Sequence, residues 1–370
     1  MLLHMVKDFS YQFFSHSQTA LDAMLAAILA AKTSIYWELY IFLDDAEGQK
    51  FVAALAEKAR SGVEVKLILD AFGSLGFQSE DKLRQAGVQI IWYNRLVSPW
   101  HKWKLVHKII NRNHRKMLIV DNEIGFLGGV NVSTVYRAWD DLHLMLTGKP
   151  VRQLQYGFAR NWIKAGGPRK AVRHILRPKL IGGLEKWRER LTFIIHSPSY
   201  RSERFLWRTF RKAVAVAKES VTFITPYYIP DKKFLRLVAR AARRGVKIDI
   251  ILPARPDVGL MQYMAQKYFL LTQKAGARIL LLDKMNHGKA VTVDNTFGMV
   301  SSINLTPRSF NGNEESGVSF TDESMVKELN SILDNWKKEA QVVPDQSIQK
   351  RWTIIHIFWR WLGDKIEKYL

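Results

Sequence analysis

Two short stretches of this chain repeat each other. The first reads His114-Arg115-Lys116, four residues, Asp121, six residues, Gly128-Gly129 and on to Asn131. The second reads His287-Gly288-Lys289, four residues, Asp294, six residues, Ser301-Ser302 and on to Asn304. A single His-x-Lys is noise, but a five-point pattern met twice at identical offsets marks a duplicated half-site. Met117 to Val120 and Ala290 to Val293 are apolar and β-prone, so each copy reads as strand, turn, strand. Alternation along a strand puts His and Lys, two apart, on one face. An imidazole beside an ammonium suits a phosphate: the ammonium holds the oxygens and the imidazole can attack phosphorus.

Further correspondences extend the repeat. Val221 to Ile229 matches Ile35 to Phe42, and Phe234 to Arg243 with Gly245-Val246 matches Phe51 to Arg60 with Gly62-Val63. Arg278 to Leu282 after Ala275-Gly276 matches Val88 to Tyr93 after Ala86-Gly87. The first half reads as a helix capped by Ser17 with Leu21, Leu25, Ile28 and Leu29 on its buried face, then a strand from Ser34 to Leu43. A helix from Gly48 to Ala59, a strand from Val63 to Leu69, a short helix from Asp81 to Gln85 and a strand from Val88 to Tyr93 follow. This βαβαβ order predicts a mixed sheet with helices on both faces, built twice. The expected organisation is a first half over 1–170, a linker or flap over 171–199, a second half over 200–340 and a tail over 341–370.

The pattern is the H-x-K-x4-D-x6-G-[GS] signature of the phospholipase D superfamily. Its flanks resemble bacterial cardiolipin synthases: Tyr40-Ile41-Phe42 with Asp44-Asp45, Asp70 before Phe72-Gly73-Ser74, Asn111 to Lys116, Gly128 to Asn131, Trp139 to His143, Tyr227 to Pro230, and Asn304 through Arg308-Ser309 to Asn313 and Glu315. The resemblance runs from about Ser17 to Trp336. It implies an α/β, duplicated phospholipase D-like fold: two mixed-sheet halves flanked by helices, with one active site at their interface. It also implies the site set His114, Lys116, Asp121, His287, Lys289 and Asp294. Within it one His forms a phosphohistidine, favoured as His114, and the other moves the proton. Lys116 and Lys289 stabilise the phosphoryl charge, and Asp121 and Asp294 hold strands and loops. Asn131, Asn304 and Ser302 are expected to support the phosphate. Glu315 matches the family's acidic residue that orients a catalytic His by accepting its other N–H. The first half departs: Val135 stands where the group has Glu four residues past the Asn, and Asp141 is the candidate substitute. Ser301 stands where Gly is usual, with a hydroxyl that could bind a phosphate oxygen.

Net charge is +22, which calls for a polyanionic partner. Hydrophobic residues make up 47%, enough for a sizeable core, which excludes a disordered chain. Cysteine is absent, so thiolate catalysis and Cys-ligated metal are excluded. No secretory signal is visible in Met1 to Phe14, and Leu21 to Ala31 is too short to span a bilayer. Membrane contact is therefore expected to be peripheral. Two segments mix tryptophan with basic residues. One lies around Arg95 to Arg112, where the first half is longer than the second, and holds Trp100 and Trp103. The other is the tail from Arg351 to Leu370, an amphipathic pattern with Trp352, Trp359 and Trp361.

The leading expectation is a phosphatidyltransferase at the bacterial cell membrane, peripheral and on its cytoplasmic face. Its partners are anionic phospholipids, phosphatidylglycerol and cardiolipin, and the membrane surface. No cofactor and no metal are expected, because the lysines already fill the role a metal plays in phosphoryl transfer. A phosphodiesterase of the same superfamily, either lipid hydrolase or nuclease, is the alternative. Nucleic acid ranks below lipid as a partner, because small superfamily nucleases carry one motif per chain. A non-catalytic membrane scaffold ranks last, since both motifs are complete.

Overall fold

The computed structural model describes residues 4–6, 8–95, 111–176, 190–197 and 205–344. The first half contributes strands β1 (His4–Val6), β2 (Phe9–His16), β3 (Ser34–Leu39), β4 (Glu64–Asp70), β5 (Gln89–Tyr93), β6 (Met117–Val120), β7 (Ile124–Gly128) and β8 (Asp140–Gly148). The second contributes β9 (Leu191–His196), β10 (Ser220–Ile224), β11 (Lys247–Pro253), β12 (Ala277–Leu282), β13 (Ala290–Val293), β14 (Phe297–Ser301), β15 (Glu315–Phe320) and β16 (Gln341–Val342).

They form two eight-stranded sheets, ordered β1-β2-β8-β7-β6-β3-β4-β5 and β16-β12-β11-β10-β13-β14-β15-β9. In each, three consecutive strands run parallel (β3-β4-β5 and β10-β11-β12) and the motif strands add antiparallel. The duplication thus covers seven strands of each sheet, while β1 beside β2 and β16 beside β12 have no counterpart in the other half.

The motif strands have no solvated face. Leu118 and Val120 enter the core of the first half, under the helices Ser17–Ala30 and Ala46–Arg60. Met117 and Ile119, from the alternate positions, enter a core shared by both halves. That shared core holds the helices Val151–Lys164 and Glu323–Glu339, through Leu154, Phe158 and Trp162 and through Met325, Leu329 and Leu333. Continuous apolar strands are what a sheet covered on both faces requires.

Four expectations change in detail. His16, not Ser17, caps the first helix, its Nδ1 accepting from the Gln18 N–H at 3.3 Å. The buried stripe of that helix is Ala20, Leu21, Met24 and Ile28, while Leu29 is 47% exposed. The strand from Ser34 stops at Leu39, because Tyr40 turns into the cavity between the halves. The stretch 171–199, expected as linker, contains β9, which pairs antiparallel with β15 as β2 does with β8. Leu191-Thr-Phe-Ile-Ile is a β-prone run whose basic, glycine-bearing surroundings hid it.

Candidate active site

Each motif His stands just before its strand, at the seam. The His114 N–H donates to the Glu314 carbonyl at 2.9 Å, and the His287 N–H to the Asp140 carbonyl at 2.7 Å. Single bridges, Asn113 with Glu314 and Asp140 with Asn286, stitch each motif to the opposite half. Asp70 fixes the approach to His114: it accepts from the Asn113 N–H at 2.8 Å and pairs with the buried Arg112, whose Nη2 lies 2.6 Å away. Both histidines line one cavity of about 380 Å³, together with Asn131 and Asn304.

The side-chain pairing is reciprocal. His114 Nδ1 lies 3.0 Å from Glu315 Oε2, and His287 Nδ1 lies 2.8 Å from Asp141 Oδ2. Burial works against ionising Glu315, but the charge and hydrogen bond of His114 and the charge of Lys116 outweigh it and hold its carboxyl below the usual range. Asp141 is held down in the same way, His287 and then Lys289 outweighing burial. An ionised carboxylate only accepts, so each Nδ1 is the donor and each Nε2 is left for chemistry. Burial, which Glu315 opposes and Lys116 reinforces, takes His114 down to about 4. Burial and the charge of Lys289 likewise lower His287. Neutral imidazoles at rest are nucleophiles or bases.

The lysines lie beneath. Lys116 Nζ donates to the His114 carbonyl at 2.9 Å and Lys289 Nζ to the His287 carbonyl at 2.7 Å. Each ammonium uses one of three donors this way. Burial and the charge of Lys289 push Lys116 down to about 7, and burial pushes Lys289 to about 8. Two buried ammoniums that disfavour each other's charge await an anion.

Asp121 and Asp294 take no part in this cluster. They sit past the far ends of β6 and β13, at φ values of 52° and 51°. Asp121 accepts from the Lys32, Thr33 and Ser34 N–H groups and the Thr33 hydroxyl. Asp294 accepts from the Lys218, Glu219 and Ser220 N–H groups. Their work is to pin the start of β3 and β10.

Ser302 donates to the Glu315 carboxylate, so it supports a carboxylate rather than a phosphate. Ser301 accepts from the Ile303 N–H at 3.3 Å, turned inward, and does not line the cavity. Asn131 Oδ1 accepts from the Ile41 N–H at 3.2 Å, which aims its amide nitrogen. Val135 is 65% exposed and is no part of the site. At the position of Ser302 the first half has Gly129. A Cβ there would lie 2.0 Å from Asp141 Oδ1, so the glycine is what admits that carboxylate.

Sequence reasoning did not assign the aromatic wall. The Tyr40 ring stands edge-on to His114 at 4.8 Å with Lys116 Nζ 5.1 Å from its centroid. Trp139 and Tyr227 flank His287 at 5.8 and 6.4 Å. The Tyr227 hydroxyl donates to Asp257 at 2.7 Å, on the same cavity. All three aromatics lay in the flanking matches; no spacing rule raised them to site residues. Trp100, Trp103, Trp352, Trp359 and Trp361 lie outside the described residues. Among the described residues no group of three or more histidines and carboxylates is placed to hold a metal ion, and no helix is long and apolar enough to cross a membrane.

Residues 24–162 and 210–336 match the family described as cardiolipin synthase, PLD-like domain. The chain belongs to that family. It is similar to the cardiolipin synthase of Clostridium perfringens (strain 13 / Type A), 30% identical over 355 residues, covering 91% of this chain and 72% of that protein. The cardiolipin synthase of Geobacillus kaustophilus is 29% identical over 348 residues, covering 91% and 68%. Among solved structures, the phosphatidylserine synthase of Haemophilus influenzae Rd KW20 superposes with a TM-score of 0.73 at 14% identity, over 100% of this chain and 97% of that one. This last likeness concerns the fold.

Proposed function

We propose that this protein is a phosphatidyltransferase of cardiolipin synthase type, joining two phosphatidylglycerol molecules into cardiolipin and releasing glycerol. The observation that carries the reading is the pair of histidines on one cavity, each with Nδ1 anchored by a carboxylate of the other half. Membership of a family whose relatives are named cardiolipin synthase supports it.

Chemistry follows from the geometry. His114 Nε2 attacks the phosphorus of one phosphatidylglycerol, and the bond to the glycerol oxygen breaks as His287 delivers a proton to it. Incoming phosphodiester charge between the lysines favours that proton on His287. Lys116, Lys289 and the two asparagines take the charge of the equatorial oxygens. His287 then draws the proton from a hydroxyl of a second phosphatidylglycerol, which displaces His114 from phosphorus and forms cardiolipin. Water must lose that competition, and the aromatic wall beside both histidines narrows its access.

The place of work is the bacterial membrane surface, at its cytoplasmic face, where a charge of +22 favours anionic headgroups. The tryptophan-bearing segments around Trp100 and Trp359 are the proposed contacts.

The test is incubation with labelled phosphatidylglycerol over a range of added glycerol, with plasmid DNA as a parallel substrate. Cardiolipin and glycerol are the expected products, and rising glycerol should drive cardiolipin back towards phosphatidylglycerol. Phosphatidic acid as sole product at every glycerol concentration would make the enzyme a phospholipase. Cleaved DNA without lipid turnover would make it a nuclease.

A further inference from the structure

Arg115 lies between the two motif residues of the first half, yet it does not line the catalytic cavity. It lines a second cleft of about 470 Å³. Glu314 lines this cleft too, while the next residue, Glu315, grips His114. The two cavities are therefore served by alternate residues of the same two backbone segments.

The floor of the cleft is buried and polar: Arg115, Asn161 and Glu314 are each 2% exposed or less. Its rim is Arg160, Lys164 and Arg169. Arg115, Arg160, Lys164 and Arg169 thus line the same cleft as Glu314. Glu314 accepts from Arg115 Nη2 at 2.8 Å and also pairs with Lys164. On the floor, Asn161 Nδ2 donates to the buried Glu38 at 2.7 Å. Asn161 Oδ1 and Arg115 Nε, both buried, have no hydrogen-bond partner among the described residues. A buried donor and a buried acceptor left unmatched in a cleft lined by arginines call for a ligand that offers both an anionic oxygen and a hydroxyl. Leu176 and Ile195 supply an apolar wall beside them.

We propose that this cleft, behind the catalytic strand, binds a phosphate group, carried either by an anionic phospholipid or by a free phosphate. Arg115 and Arg160 hold the anionic oxygens, and Asn161 Oδ1 accepts from a protonated oxygen. The site is separate from the one where phosphorus is attacked. It touches that site through the backbone: the Glu314 carbonyl accepts from the His114 N–H, and the Glu314 N–H donates to the Arg112 carbonyl at 2.8 Å. A ligand that pulls on Arg115 also pulls on the strand that carries Glu315.

The test counts binding equivalents on the full chain by calorimetric titration, with inorganic phosphate in one arm and monomeric dihexanoyl phosphatidate in the other. The variants are Arg160→Glu/Arg169→Glu and the milder Arg160→Ala/Arg169→Ala, both at exposed positions. The wild type should take up two equivalents of at least one probe. The charge-reversed variant should take up one, and the alanine variant should bind the second at least tenfold more weakly. A second equivalent seen with both probes assigns a free-phosphate site; one seen only with phosphatidate assigns a lipid site. A single equivalent in the wild type, or two of unchanged affinity in both variants, overturns the proposal. The readout is binding, so it stands or falls independently of which product the enzyme makes.

Discussion

Glu315 and His114 lie on opposite halves of the chain, and the carboxylate of one accepts from the Nδ1–H of the other at 3.0 Å. Asp141 and His287 repeat the arrangement in the reverse direction at 2.8 Å. Neither half can orient its own histidine. Glu315→Gln and Asp141→Asn keep the shape but can present an N–H to the ring and select the wrong tautomer. Each should lower kcat by about 10²–10⁴-fold with the fold intact. Steady-state turnover beside a circular dichroism melt checks this; turnover within about twofold of wild type would disprove it.

Gly129 offers a sharper probe of the same contact. A methyl at its Cβ position meets Asp141 Oδ1 at 2.0 Å. Gly129→Ala should displace that carboxylate and mimic Asp141→Asn in kcat, although residue 129 touches no substrate. At the corresponding position, Ser302→Ala removes one hydrogen bond to Glu315 and should cost far less. Comparing the two variants against Asp141→Asn on one soluble substrate tests the ranking.

Asp121 should behave as a fastener. Asp121→Ala removes acceptors from three backbone N–H groups and a hydroxyl, and should lower stability by about 2 kcal/mol. Turnover per folded molecule should be largely retained. These hydrogen bonds outweigh burial and hold the Asp121 and Asp294 carboxyls below their ordinary value. Their contribution is therefore present above the unfolded carboxylate pKa and lost as pH falls through the lowered folded one. Urea titrations of wild type and variant should converge in acid.

The lysines set an alkaline limit. With Lys116 near 7 and Lys289 near 8, raising pH through this range removes the charge that receives the phosphodiester. The value of kcat/KM on a monomeric short-chain substrate should fall through pH 7 to 8, because it reports free-enzyme ionisations. On the acid side it should be lost only as His114 protonates, near 4, because protonating His287 supplies the proton that the first step delivers. A profile that stays flat to pH 9 would contradict the lysine assignment.

Because ammonium groups stand where phosphoryl transfer needs positive charge, EDTA should leave turnover of a soluble substrate unchanged. Assay in detergent micelles, with no requirement for an ion at the lipid surface, is the measurement.

The repeat made most of this fold legible. The apolar run from Val63 to Leu69 after Gly62 placed β4 to within a residue, whereas the strands expected from Ser34 to Leu43 and over Val221 to Ile229 stop at Leu39 and Ile224. The site histidines and lysines were legible because their spacing recurs. The carboxylate of the first half was legible only as a residue near Trp139, since Asp141 stands at a different offset from that of the family Glu. Its shorter side chain works because Gly129 lets it sit close, a relation between separate strands that no local pattern records. β9 was hidden because only the unmet edge of β15 calls for it. The aromatic wall was hidden because Tyr40, Trp139 and Tyr227 come from three separate segments.

Hydrogen bonds from His114 to Glu314 and from His287 to Asp140, with an apolar core continuous across the seam, weld the halves. Any hinge motion that parted them would strip both imidazoles of their anchors in the same instant. A clamshell enzyme can admit cargo by opening and react on closing; this one would be disarmed by opening. Lipid must then enter and leave past the Tyr40, Trp139 and Tyr227 rings while the chemistry stays assembled behind them, so a wider doorway should speed traffic without loosening the lock.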